Sequence, residues 1–188
     1  MRRSRQALLF ASNFLKHPML LGSAVPSSPF LVNHLLARID WQRARVIVEY
    51  GPGVGTFTRE ILQRMHPDAV LVAIELNPDF VRFLKDEISD PRLRLVHGSA
   101  ADVHSILTSL NLPHADYIIS GIPYTTLTDS LRRKVSREAR RVLHPEGAFL
   151  VYQFTGTVLP YVMPIFGRVE RDFKLLNILP ARIFYCTP

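Results

Sequence analysis

The stretch RVIVEYGPGVGTFTREIL, Arg45 to Leu62, drives an apolar, β-branched run into three glycines at alternate positions, Gly51, Gly53 and Gly55, and then into a segment with helical periodicity. A strand that turns into a helix through glycines leaves backbone N–H groups at the helix start, with no side chains to keep a ligand away. Such a junction is the first half of a βαβ unit, and it predicts an α/β domain holding a ligand at the C-terminal end of the strand. The dinucleotide fingerprint G-x-G-x-x-G would place its third glycine one position later, where Thr56 stands, so the spacing favours a different nucleotide-like ligand.

The rest of the chain repeats the alternation. Apolar, β-rich runs at AVLVAIEL, LRLVH, ADYIISG and AFLVYQF are separated by helical stretches, the pattern of a mostly parallel sheet. Asn77 with Pro78 predicts the start of a helix over PDFVRFLKDEI, and Thr128 or Asp129 that of SLRRKVSREARRVL. Ser27 or Ser28 with Pro29 opens PFLVNHLLARI ahead of the first strand. After the fifth strand, VERDFKLLNIL and ARIFYC leave no room for a crossover helix and are expected to pair as an antiparallel hairpin.

At 188 residues the chain is read as one domain, with an amphipathic, helical N-terminal arm and capping helices over 1–40 and a core over 41–188. The formal net charge is +7, and no acid precedes Asp40, whereas Arg2, Arg3, Arg5, Lys16 and Arg38 do. The opening MRRSRQALLFASNFL has the outline of a signal peptide, but Asn13 falls within its apolar run, and it is read as retained. Leu8, Ala11, Phe14 and Leu15 share a helical face beside the arginines, suiting either an interfacial membrane helix or packing on the core. The basic cluster in LRRKVSREARR reads as a solvated helix face. A single cysteine, Cys186, excludes an internal disulfide framework and fits a cytoplasmic address. The uncharged window Gly147 to Gly167 is long enough for a membrane span, but its prolines and glycines favour a buried strand followed by an apolar segment.

Glu75 ends the second predicted strand, where a carboxylate can accept both hydroxyls of a ribose, so glycine loop and acid together fit an adenosine moiety. At these residues the chain resembles the class I S-adenosylmethionine-dependent methyltransferases, whose first motif reads acid-x-G-x-G-x-G. Glu49, Gly51, Gly53 and Gly55 match it. The resemblance implies a Rossmann-like, seven-stranded, mostly parallel sheet with helices on both faces and a C-terminal antiparallel hairpin. It implies S-adenosylmethionine as cofactor, with Glu49 at the methionine amino group, the glycine loop beneath the cofactor and Glu75 on the ribose. Thr56, Leu76 and Ser120 are expected to flank it. HGSAAD stands where that family reads adenine, giving the contact to Ser99 and Ala100, with Asp102 either an adenine partner or a helix cap.

SGIPYTTL after the fourth strand resembles the N-[I/L]-P-[Y/F] motif of amino-group methyltransferases. Two related groups are similar to this chain: the ribosomal RNA adenine dimethylases, through SNFL at Ser12 to Leu15, and the small bacterial phospholipid N-methyltransferases, through GSAVPSS at Gly22 to Ser28 and the SGIPY loop. Gly121 replaces the dimethylases' motif asparagine, and the chain is expected to close on its hairpin without their helical RNA-binding domain; both favour the lipid group. The expected reaction is methylation of a lipid headgroup amine of the phosphatidylethanolamine type at an anionic membrane surface, by a peripherally associated monomer. RNA and small molecules are the alternative acceptors. Gly121, Pro123 and Tyr124 are the expected catalytic residues, with Tyr124 touching the amine; Ile122, Ser27 and Ser28 join Tyr124 in binding the substrate. No metal is required, and the seven dispersed histidines form no ligand motif.

Overall fold

A computed structural model describes residues 28–174 and 181–188. Seven strands form one sheet in the order β3-β2-β1-β4-β5-β7-β6. The strands are β1 (Val46–Tyr50), β2 (Val70–Glu75), β3 (Leu93–His97), β4 (Ala115–Ser120), β5 (Leu143–Gln153), β6 (Arg168–Lys174) and β7 (Ala181–Thr187). The first five run parallel; β7 pairs antiparallel with β5 and β6 with β7, so the expected hairpin closes the sheet. All five residues of β1 are buried, as its unbroken apolar run requires of a central parallel strand. β3, at the edge, is only partly covered.

The helices are α1 (Pro29–Leu36), α2 (Thr56–Arg64), α3 (Pro78–Glu87), α4 (Val103–Ser109), α5 (Asp129–Val142) and the short α6 (Leu159–Val162). Their starts follow the capping chemistry in the sequence. Ser28 accepts from the Leu31 amide, Asn77 from Asp79 and Thr128 from Leu131, with proline in the first turn of α1 and α3. On one face of the sheet Val103 and Leu107 of α4 and Val135 and Ala139 of α5 pack against Val48, Ile118 and Phe149. On the other, Leu31 and Leu35 of α1 and Ile61 of α2 pack against Ile47, Ile119 and Leu150. The described part of the 1–40 segment thus shares the core of the sheet.

Two boundaries differ from expectation. β5 begins at Leu143, five residues before the apolar run, because Leu143 pairs with Ala115 before a register shift brings Tyr117 opposite Ala148. In the uncharged 147–167 window the strand is followed by α6, whose turn buries Val158, Val162 and Phe166. Among the described residues, no helix is long and apolar enough to cross a membrane. The amphipathic arm over residues 1–21, Ser27 and the LLNIL end of the predicted sixth strand lie outside the described residues.

Chain order reverses between β1 and β4: β2 and β3 extend the sheet to one side, while β4 and β5 extend it to the other. At such a switch point the loops leaving neighbouring strands diverge to opposite faces and leave a crevice beyond the strand ends.

Candidate active site

The crevice is a cavity of about 430 Å³. Its walls come from the segments that leave β1, β2, β3 and β4: Gly51 and Gly53, Glu75 to Phe80, Gly98 to Ala100, and Gly121 to Pro123, with Leu127, Leu131 and Val135 closing one side.

The glycine loop is shaped by three positive φ angles, 69° at Gly51, 55° at Gly53 and 79° at Gly55, but the glycines do different work. A β-carbon on Gly53 would meet nothing within 4 Å, so this side of the loop is open, while its amide is turned to Glu75. On Gly51 it would stand 2.8 Å from Ile122 Cγ2, which packs the β1 and β4 loops together. Gly55 begins α2, and a β-carbon there would meet Leu84 Cδ2 at 2.7 Å; this glycine permits α2 to lie close to α3 and is not on the cavity wall.

Two carboxylates stand below the loop. Glu75 is buried, taking the Gly53 amide at 3.1 Å and the Asn77 amide at 2.8 Å on separate oxygens. With the Leu76 amide also bonded to it, the carboxylate retains lone-pair capacity for a ligand hydroxyl. Burial raises its pKa, and the backbone N–H bonds oppose that rise. Glu49 is also buried, its Oε2 accepting from Thr58 Oγ1 at 2.7 Å, and burial pushes its carboxyl up to about 8. It sits behind the loop, off the cavity wall.

The loop after β4 is held from two directions. Gln153, buried at the end of β5, donates from Nε2 to the Ile122 carbonyl at 2.7 Å and accepts from the Tyr124 amide at 3.3 Å. Arg132 donates to the carbonyls of Tyr124 at 2.7 Å and Thr125 at 3.2 Å. Beyond this loop lies a cleft of about 40 Å³, lined by Gly121, Pro123, Thr125, Tyr152, Gln153, Phe154 and Thr155. It shares Gly121 and Pro123 with the larger cavity, so those residues form the wall between the two.

Comparison with known proteins matches this framework. The sequence model for ribosomal RNA adenine dimethylase matches residues 12–151. The chain belongs to the ribosomal RNA adenine dimethylase family. An ornithine lipid N-methyltransferase of Singulisphaera acidiphila is 32% identical over 95% of this chain and 94% of its own length. A ribosomal RNA small subunit methyltransferase A of Mycoplasma capricolum is 32% identical over 54% of this chain, and the match spans 37% of that protein. In fold the chain is similar to a precorrin-6y C5,15-methyltransferase of Geobacter metallireducens, with a TM-score of 0.67 at 18% identity over 83% of this chain and 85% of that one. This member of the dimethylase family is a class I, S-adenosylmethionine-dependent N-methyltransferase.

The cavity fits that cofactor: its volume lies in the range of small-molecule sites, its walls are mostly apolar, and it presents the Glu75 carboxylate beside Gly53, where no side chain stands in the way. Of the residues anticipated around it, Gly51, Gly53, Glu75, Leu76, Ser99, Ala100, Gly121, Ile122 and Pro123 share the cavity wall. Ser99 uses its hydroxyl to accept from the Ala101 amide at 3.2 Å. Asp102 makes no side-chain cap and instead takes Lys134 at 2.9 Å. Thr56 is the first residue of α2, off the wall, and Ser28 is spent on capping α1. Ser120 is fully buried, its hydroxyl without a partner among the described residues.

Tyr124 requires a correction. The expected contact with a substrate amine is not available to it: the residue is fully buried, its hydroxyl lies 3.0 Å from Ser136 Oγ in α5, and its ring joins the core cluster. The turn Tyr124–Thr126 and the Arg132 bond to the Tyr124 carbonyl direct the side chain inward. Burial raises its pKa. Arg132, expected on a solvated helix face, instead holds the loop carbonyls, and Tyr152 and Gln153, expected only as parts of the fifth strand, reach the same loop. A signal was present for Gln153, a polar residue ending an apolar strand at the same edge as Glu75 and Ser120.

Proposed function

We propose that this protein methylates the amine of an aminolipid headgroup, using S-adenosylmethionine, with the acceptor entering beside Gly121. The observation that carries the reading is steric. A β-carbon on Gly121 would stand 2.1 Å from Tyr152 Oη and 2.7 Å from its Cζ, so a side chain here would have to displace the Tyr152 ring, and glycine itself offers no amide to hold an adenine amino group. The cleft next to it, about 40 Å³, suits a small ammonium head and its first methylene rather than a purine ring. Similarity to the ornithine lipid enzyme along nearly the full length of both chains supports the same acceptor class.

The cofactor supplies an electrophilic methyl on a sulfonium. An unprotonated amine held in line would form the N–C bond as the C–S bond broke with its electron pair left on sulfur, and the surplus proton would leave nitrogen for water. An alkyl amine with a pKa near about 10 needs only to lose a proton to become a good nucleophile, so orientation is the protein's main contribution. The wall shared by cavity and cleft provides it.

Arg2, Arg3 and Arg5 are proposed to bring the enzyme to anionic membranes, each contributing about 1 kcal/mol near such a surface. Co-sedimentation with vesicles should rise with anionic lipid content and fall with salt. For the function itself, the protein can be expressed in a bacterium whose main aminolipid is phosphatidylethanolamine, with and without an ornithine lipid. Mass spectrometry of the lipid extract should reveal N-methylated headgroups. Unmodified lipids in both backgrounds, with active protein recovered, would contradict the proposal.

A further inference from the structure

Tyr152 occupies the space that position 121 gives up. It lies near the end of β5, its ring stacked on Phe57 with centroids 4.8 Å apart and planes 24° from parallel. Phe57 is the second residue of α2, directly after the glycine loop, and is itself buried. The stack therefore fixes the Tyr152 ring against the element that carries the cofactor loop. Its hydroxyl is delivered to the root of residue 121, on the wall between the 430 Å³ cavity and the 40 Å³ cleft. A second element of β5 sets the other side of this wall: Gln153 pins the Ile122 carbonyl and the Tyr124 amide.

We propose that Tyr152 positions the acceptor amine, its phenolic oxygen accepting a hydrogen bond from the headgroup nitrogen in the cleft and thereby aiming the lone pair across the Gly121 wall. The inference rests on the aminolipid reading above. It explains why residue 121 is glycine: the hydroxyl and a β-carbon cannot both occupy that point. It also makes the site selective, because the group at the wall is a single hydroxyl at the end of a rigid ring, suited to one unprotonated alkyl amine nitrogen and not to the paired edge of a base.

The test compares the native enzyme with Tyr152→Phe on vesicles containing ornithine lipid or phosphatidylethanolamine, and on an RNA stem-loop. Loss of the hydrogen bond should lower kcat/KM on the lipid amine by about ten- to a hundredfold. Affinity for S-adenosylmethionine, measured by calorimetry, should stay within about twofold, which a general loss of structure would not allow. Gly121→Ala should reduce turnover in the Tyr152 background and add no further loss in a Tyr152→Ala background, since the clash is with that side chain. Tyr152→Phe acting on lipid at the native kcat/KM overturns the role of Tyr152 while leaving the aminolipid reading in place; Gly121→Ala retaining native turnover overturns that role together with the steric support for the aminolipid reading. A native enzyme that methylates the RNA and neither lipid overturns both.

Discussion

The Gly53 amide donates to Glu75 Oε2 across 3.1 Å, so the acid ending β2 holds the loop leaving β1 in place independently of any ligand. With the Asn77 amide on its other oxygen, one buried carboxylate organises two of the segments that wall the cavity. It shapes the loop, and the proposed second role, accepting ribose hydroxyls, is open to test.

Glu75→Ala should weaken S-adenosylmethionine binding roughly tenfold or more, since hydrogen bonds to a charged group contribute about 1.5 to 3 kcal/mol. Calorimetry on the folded variant measures it. An unchanged dissociation constant would remove Glu75 from the cofactor site.

Glu49 predicts a pH dependence. Burial, partly offset by the Thr58 bond and reinforced by the nearby Glu75, pushes its carboxyl from an ordinary 4.5 up to about 8. At pH 7 the group is mostly neutral in the free protein, and a cofactor ammonium brought to it favours the ionised form. Binding at pH 7 should then release protons, read by calorimetry in buffers of different ionisation enthalpy; no release would separate Glu49 from the ammonium. For stability the sign is that of a raised pKa: the contribution is complete below 4.5 and is lost as pH rises through about 8. Glu49→Gln cannot ionise, so its stability relative to the native protein should improve across that interval.

Gln153→Leu would leave the Ile122 carbonyl and the Tyr124 amide without their partner in a buried loop. Each unsatisfied group costs about 1 to 3 kcal/mol. Thermal unfolding should show a loss on the order of a few kcal/mol, and kcat should fall more than cofactor affinity. A variant with native stability and native kcat would contradict the clamp.

Tyr124→Phe separates structure from chemistry. Removing the hydroxyl breaks only the bond to Ser136 in the core, so stability should fall by about 0.5 to 1.5 kcal/mol while turnover stays close to native. A large loss of kcat in a stable variant would return Tyr124 to the reacting centre.

What was legible in the sequence was local. Asn77, Thr128 and Ser28 announce their helices because a cap acts within three residues of itself, and Glu75 announces its place on the cavity wall because strand ends at one edge of a parallel sheet converge. The part that was not legible depends on packing between distant segments. Gly55 is needed for Leu84 of α3, Tyr124 turns inward because Ser136 and Arg132 on α5 receive it, and Tyr152 reaches Gly121 only because β4 and β5 are neighbours. No spacing within the glycine loop or the SGIPY motif encodes those contacts. Gly121 itself was visible as a missing amide, but the hydroxyl that fills its place was not.

The most direct measurement is a competition. Limiting radiolabelled S-adenosylmethionine is offered with vesicles of ornithine lipid and phosphatidylethanolamine and an RNA stem-loop together in one reaction, and the label in the separated lipid and RNA fractions is counted across a pH series. Label is expected in the lipid headgroups, increasing as pH rises toward the amine's pKa. Label confined to RNA would contradict it.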